Sequence, residues 1–172
     1  MKTKWGAAAL SALMAFAPLA GAQSNGPVQT RLEASKVERA ADGAERRVPA
    51  QSARPGDVIE YTATYRNTGD KPVHELDATL PIPANTELVA GSAKPARATA
   101  SVDGRTFAAM PLRHRVMRDG KEVEEDVPLR QYRYLRWHLA TLAAGESASF
   151  VARVKVPENE ANPERAPARP GQ

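Results

Sequence analysis

Residues 57–67 read DVIEYTATYRN, and the reading of this stretch decides the fold. Ile59, Tyr61, Ala63 and Tyr65 alternate with Glu60, Thr62, Thr64 and Arg66. Successive side chains of a strand leave on opposite faces, so this alternation predicts a half-buried antiparallel strand. Arg54-Pro55-Gly56-Asp57 leads into it and Asn67-Thr68-Gly69-Asp70 leads out. Both are turn sequences, because proline presets φ and glycine accepts positive φ.

Working outward, residues 73–80 put His74, Leu76, Ala78 and Leu80 on one face and Glu75, Asp77 and Thr79 on the other. This predicts a second strand that forms a hairpin with the first. Pro81-Ile82-Pro83 follows; two residues without a ladder donor belong at an edge or a crossover. A short strand is expected over 86–89. Asp103-Gly104 divides 97–102 from 106–112, and Asp119-Gly120 divides 115–118 from 122–127. Asp-Gly between extended runs predicts two short hairpins in series. The last two strands are expected at 131–139, with Leu135, Trp137 and Leu139 inward, and at 148–156, with Phe150, Ala152, Val154 and Val156 inward. Residues 32–44 lack a helical apolar stripe, so an opening strand is expected over 28–38. Many strands and short turn-rich connections predict an all-β fold, an antiparallel β-sandwich.

At the N-terminus, Lys2 and Lys4 precede an uncharged apolar run from Trp5 to Ala20, and the run closes on Ala20-Gly21-Ala22. The run is short for a membrane span. Basic start, apolar middle and small-x-small end make a cleavable secretory signal helix over 1–22, cut after Ala22. The organisation expected is therefore signal peptide 1–22, flexible leader 23–27, sandwich domain 28–156 and a disordered tail rich in Pro, Ala, Glu and Arg over 157–172. With no cysteine, neither a lipid anchor nor a disulfide is available. No transmembrane anchor is expected in the mature chain, which is placed outside the cytoplasm, in the periplasm or beyond. Removing Lys2 and Lys4 lowers the formal charge from +4 to +2. That balance is no nucleic-acid signature, so the partners expected are a protein or an anionic envelope polymer.

Several of these residues form a pattern: Arg54-Pro55-Gly56-Asp57, Tyr61, Tyr65, Asn67-Thr68-Gly69-Asp70, Leu80-Pro81-Ile82-Pro83, Gly91-Ser92 and Leu135-Arg136-Trp137 leading to Leu142, Gly145 and Phe150. In this the chain resembles the bacterial conserved-repeat family, known as domain of unknown function eleven, found in surface and envelope proteins. The resemblance implies an immunoglobulin-like sandwich, often repeated in tandem, and brings no catalytic residues with it. This chain carries a single copy, which fits a freestanding exported module.

Chemistry is sparse. Without cysteine, a nucleophile would be a Ser or Thr served by His74, His114 or His138. No Gly-x-Ser-x-Gly elbow occurs, and Gly145-Glu146-Ser147 lies in an expected bend. The three histidines have no metal-binding spacing. Glu122, Glu124, Glu125 and Asp126 straddle an expected strand and read as a solvated edge. No cofactor and no enzyme activity are expected. One surface stands out: with Leu135, Trp137 and Leu139 inward, the opposite face of that strand presents Arg130, Tyr132, Tyr134, Arg136 and His138. Arginine and tyrosine dominate interface energetics, so this face is the candidate partner-binding site. The alternative is that it is ordinary cross-strand packing of aromatics under arginine. Arg113, Arg115 and Arg118 would enlarge it if their hairpin lay alongside. The function expected is a non-enzymatic envelope module for binding or assembly. The rival is a periplasmic chaperone-like protein that lends an edge strand to a client, which requires a long apolar edge.

Overall fold

The strand over 57–67 is central. In the computed structural model, which describes residues 26–158, it is flanked on both sides and turns Ile59, Tyr61, Ala63 and Tyr65 into the core. In chain order the strands are β1 (Val28–Arg39), β2 (Glu45–Pro49), β3 (Val58–Asn67), β4 (Val73–Pro81), β5 (Glu87–Leu88), β6 (Thr99–Ser101), β7 (Ala108–Ala109), β8 (Arg113–Arg118), β9 (Lys121–Asp126), β10 (Tyr134–Leu142) and β11 (Ser147–Lys155). A 3-10 turn at Leu129–Gln131 precedes β10. One sheet runs β2-β1-β3-β11-β5, a second β4-β10-β6-β7, and β8 and β9 form a separate ribbon. All pairings are antiparallel. The protein is thus an all-β sandwich. The expected signal peptide at 1–22 lies outside the described residues, as do 23–25 of the leader and 159–172 of the tail.

The two main sheets face each other through aromatic and aliphatic side chains. Trp137 of β10 lies 4.9 Å from Phe150 of β11 between ring centroids, and Phe150 meets Tyr65 of β3 edge-on at 5.9 Å. Trp137 also donates its indole N–H to the Pro95 carbonyl at 2.7 Å, so its polar atom is satisfied inside the core. Leu80, Leu135, Ala152 and Val154 fill the space around them.

Four expectations are corrected. First, β3 and β4 form no hairpin; they belong to different sheets. Both edges of β3 are taken, by β1 and β11, and β4 crosses over so that its apolar face buries against that of β3. Asn67 fixes this crossover. Its buried carboxamide donates to the carbonyls of Lys71 (2.8 Å) and Leu142 (3.1 Å) and accepts the Gly69 N–H (3.0 Å).

Second, the hairpin expected around Asp103-Gly104 forms, Thr99 pairing with Ala109 and Ala100 with Ala108, but its strands are shorter than 97–102 and 106–112 and its loop longer. The Asp103 carboxylate accepts the N–H groups of Arg105 and Thr106 at 2.8 and 2.9 Å and the Ser101 hydroxyl at 2.8 Å. These donors, the backbone ones foremost, hold its carboxyl at about 2. An aspartate that can collect local donors winds the chain around itself instead of closing a tight turn.

Third, His74 is exposed, not inward with Leu76, Ala78 and Leu80. Glu75 has φ +52, which interrupts the alternation between them. Fourth, the strand expected from residue 131 begins at Tyr134, with consequences for the candidate face.

Candidate functional site

β10 keeps strict alternation only from Tyr134 onward. Leu135 and Trp137 point into the core, and Tyr134, Arg136 and His138 form a row on the outer face of the four-stranded sheet. Tyr132 and Arg130 are not in that row. Tyr132 follows the 3-10 turn and is fully buried, with 0% exposure. Its hydroxyl accepts the Leu112 N–H at 2.7 Å and anchors the base of the β8–β9 ribbon. Period two holds only along regular strand, and the turn swings Tyr132 to the other side. Arg130 is exposed on the turn itself.

The three remaining residues are joined by others that sequence did not single out for this site. The Arg136 guanidinium carbon sits 3.5 Å from the Phe107 ring centroid, a cation–π contact. Its Nη1 reaches the Asp77 carboxylate at 3.4 Å, while its Nε is enclosed and takes no hydrogen bond. Phe107 comes from the loop between β6 and β7, so no local pattern links it to Arg136. Tyr134 lies on Gly104, where φ is +75 and a β-carbon would stand 2.9 Å from the Tyr134 ring. A residue other than glycine there would displace the ring.

His138 is held from both sides. Nδ1 meets Asp77 Oδ1 and Nε2 meets Glu75 Oε2, each at 3.1 Å. Both carboxylates are served by hydrogen bonds only when both ring nitrogens carry protons. The hydrogen bond to Asp77, with the Glu75 charge behind it, raises the His138 pKa. The carboxylates meet different ring nitrogens, so they do not converge with the imidazole on one point. His74 contacts the Thr141 hydroxyl at 3.1 Å, and His114 stands on the β8–β9 ribbon.

The other charges are mostly tied locally. Arg113 pairs with Glu124 (3.3 Å) and Asp126 (3.4 Å), Arg115 with Glu122 (3.5 Å), and Arg118 with Glu125. The acidic residues of β9 are therefore neutralised by the arginines of β8, and these arginines do not extend the Tyr134 face as free cations. On the outer face of the five-stranded sheet, Glu60 is 6% exposed and binds both Arg47 and Arg153. Arg153 continues to Glu45 at 2.7 Å. The Arg47 guanidinium, with Arg153 beside it, holds the Glu60 carboxyl below the usual carboxylate range. This network is structural. Each charge in it has a partner, and an unpaired buried carboxylate would be strongly destabilising.

Compared with known proteins, the chain matches no family model, no curated protein and no solved structure. The described residues define a class, an all-β fold of antiparallel sheets. No helix among the described residues is long and apolar enough to cross a membrane.

Proposed function

We propose that this is an exported, non-enzymatic envelope protein on an immunoglobulin-like sandwich, a binding or assembly module that works through the outer face of its four-stranded sheet. The observation that carries the reading is the row Tyr134, Arg136 and His138, with Arg136 stacked on Phe107. A guanidinium laid on an aromatic ring beside a tyrosine is pre-ordered, so little rotamer freedom is lost when a partner docks. The partner that suits it is a protein or an anionic envelope polymer. The sequence from Lys2 to Ala22 supports export, and the motifs from Arg54 to Phe150 support the likeness to domain of unknown function eleven. Non-enzymatic action is supported by the engagement of the chemically capable side chains in one another: His138 by two carboxylates, Glu60 by two arginines.

The test is capture from envelope extract on immobilised mature chain, compared with Tyr134→Ala and Arg136→Gln. The expected outcome is loss of specific partners in both variants while thermal unfolding of the chain persists. An unchanged set of captured partners in both would rule the face out. A strand-lending chaperone is not favoured. Its long apolar edge is missing among the described residues: β5 and β7 have two residues each, β2 is Arg46-Arg47-rich and ends in Pro49, and β4 carries Glu75 and Asp77.

A further inference from the structure

Arginines in this fold meet carboxylates in a recurring way. Arg47 offers Nε and Nη2 together to Glu60, and Arg118 offers the same edge to Glu125. The two N–H groups of that edge run parallel and match two oxygens of a carboxylate or a phosphate.

Arg133 is arranged the other way round. Its Nη1 donates both hydrogens to backbone carbonyls, those of Arg130 and Tyr132, each at 2.8 Å. The guanidinium is thereby folded back onto the 3-10 turn and held there. The Arg133 backbone is tied on both sides as well: its N–H donates to the Ser101 carbonyl at 2.9 Å, and its carbonyl accepts the Ile82 N–H at 2.7 Å. Root and head of the side chain are both fixed. The remaining edge, Nε with Nη2, donates to no described group. Among the described side chains that are not exposed, the one nitrogen enclosed without a partner is Arg136 Nε, so the open edge of Arg133 faces water.

The charge at this corner is unanswered. Arg130, whose carbonyl Arg133 grips, is exposed on the turn, and neither arginine pairs with a carboxylate among the described residues. Two acids come near through the topology, and both are turned elsewhere. Asp103, just beyond the Ser101 that binds Arg133, has its carboxylate on Ser101, Arg105 and Thr106. Glu87 of β5, the strand that packs against the turn, is opposite Lys155 in register and so belongs to the outer face of the five-stranded sheet. A carboxylate group brings one negative charge for two arginines. A phosphate group, with up to about two near neutral pH, answers both.

We propose that Arg133 and Arg130 form a phosphate-binding site, in which a phosphate group accepts two hydrogen bonds from the Nε–Nη2 edge of Arg133 and the Arg130 side chain closes on it from the turn. The two carbonyl bonds hold the fork in place beforehand, so little rotamer freedom is lost on binding. A phospholipid headgroup and a soluble phosphate compound share this chemistry. The proposal does not rest on the reading of the Tyr134 row, and Tyr134 and Arg136 take no part in it.

The test titrates nitrogen-labelled mature chain with pyrophosphate, at an ionic strength held constant with chloride, and follows the arginine Nε–H signals. The Arg133 signal should shift and saturate, while those of Arg47 and Arg118, whose edges are filled, stay in place. Arg133→Lys keeps the charge without the fork and should weaken binding at least about tenfold. Arg130→Gln leaves both carbonyl bonds of Arg133 intact and should weaken it at least about threefold. Tyr134→Ala and Arg136→Gln should bind pyrophosphate as the parent does, which tells failure of this site apart from failure of the outer face. Sedimentation with phosphatidylglycerol vesicles that is lost in Arg133→Lys assigns a lipid headgroup; pyrophosphate binding without sedimentation assigns a soluble phosphate compound. An Arg133 signal unmoved by pyrophosphate, the same shift from added chloride, or undiminished binding by Arg130→Gln would each overturn the proposal.

Discussion

The Tyr132 side chain shows what a residue's neighbours can hide. By period two it belongs with Tyr134, and its chemistry suits an interface; three residues of 3-10 turn at Leu129–Gln131 are enough to bury it. The sequence held Tyr134, Arg136 and His138 correctly on one face but could not show Phe107 beside them, because that contact closes a loop and has no fixed spacing. His138 offers a test at this scale. Its bonds to Asp77 and Glu75 raise its folded pKa above the unfolded value of about 6.5. A raised pKa means that the folded chain binds the proton more tightly, so the stabilisation is complete below the unfolded value and is lost as pH rises through the folded one. Denaturation of the parent and His138→Gln across pH should show the parent's advantage in mildly acid buffer and its decay above neutrality. An advantage that grows with pH would contradict the doubly bonded imidazolium.

At the scale of elements, the β8–β9 ribbon was legible because its turn chemistry is local. Arg118 pairs with Lys121, so Asp119-Gly120 is a two-residue turn, and both residues have positive φ, +50 and +75. This backbone matches the twist of the flanking strands, and glycine adopts it without a β-carbon clash. Gly120→Val should destabilise the ribbon by about 1–2 kcal/mol, as a β-branched residue forced into the left-handed region. The ribbon is its own sheet, and an isolated hairpin is only marginally stable. Faster amide exchange from β8 and β9, with β3 and β11 unaffected, is the expected signature; equal loss across all strands would mean that the ribbon supports the sandwich. The β6–β7 hairpin, with the same Asp-Gly pair, forms with a longer loop and shorter strands than expected, for a physical reason. Ser101 and the N–H groups of Arg105 and Thr106 stand within reach of Asp103, and the pair alone does not disclose them.

For the whole molecule, alternation identified most of the strands and most of their inward faces, but not β2 at Glu45–Pro49, whose charged residues show no apolar face, and not which strands are neighbours. Stacking β3 on β4 and pairing them side by side both satisfy the same apolar pattern. The choice rests on Asn67, whose side chain joins the end of β3, the turn that leads into β4 and the end of β10. Asn67→Ala leaves the carbonyls of Lys71 and Leu142 and the Gly69 N–H without this partner, for a loss of about 2–4 kcal/mol. Because the contact links both sheets, the melting point of the whole sandwich should fall, by on the order of 10 °C. Asn67→Asp is the sharper probe. Its ionised carboxylate still accepts from Gly69 but faces two carbonyls in a site with 0% exposure. Burial and those carbonyls raise its folded pKa above the unfolded value of about 3.9, so the folded state holds the proton and the variant loses stability as pH climbs from there. Calorimetry of the two variants should therefore show Asn67→Asp approaching the parent in acid and falling below Asn67→Ala near neutrality. Parallel pH curves for the two would mean that the carboxylate escapes to solvent and that Asn67 does not hold the sheets together.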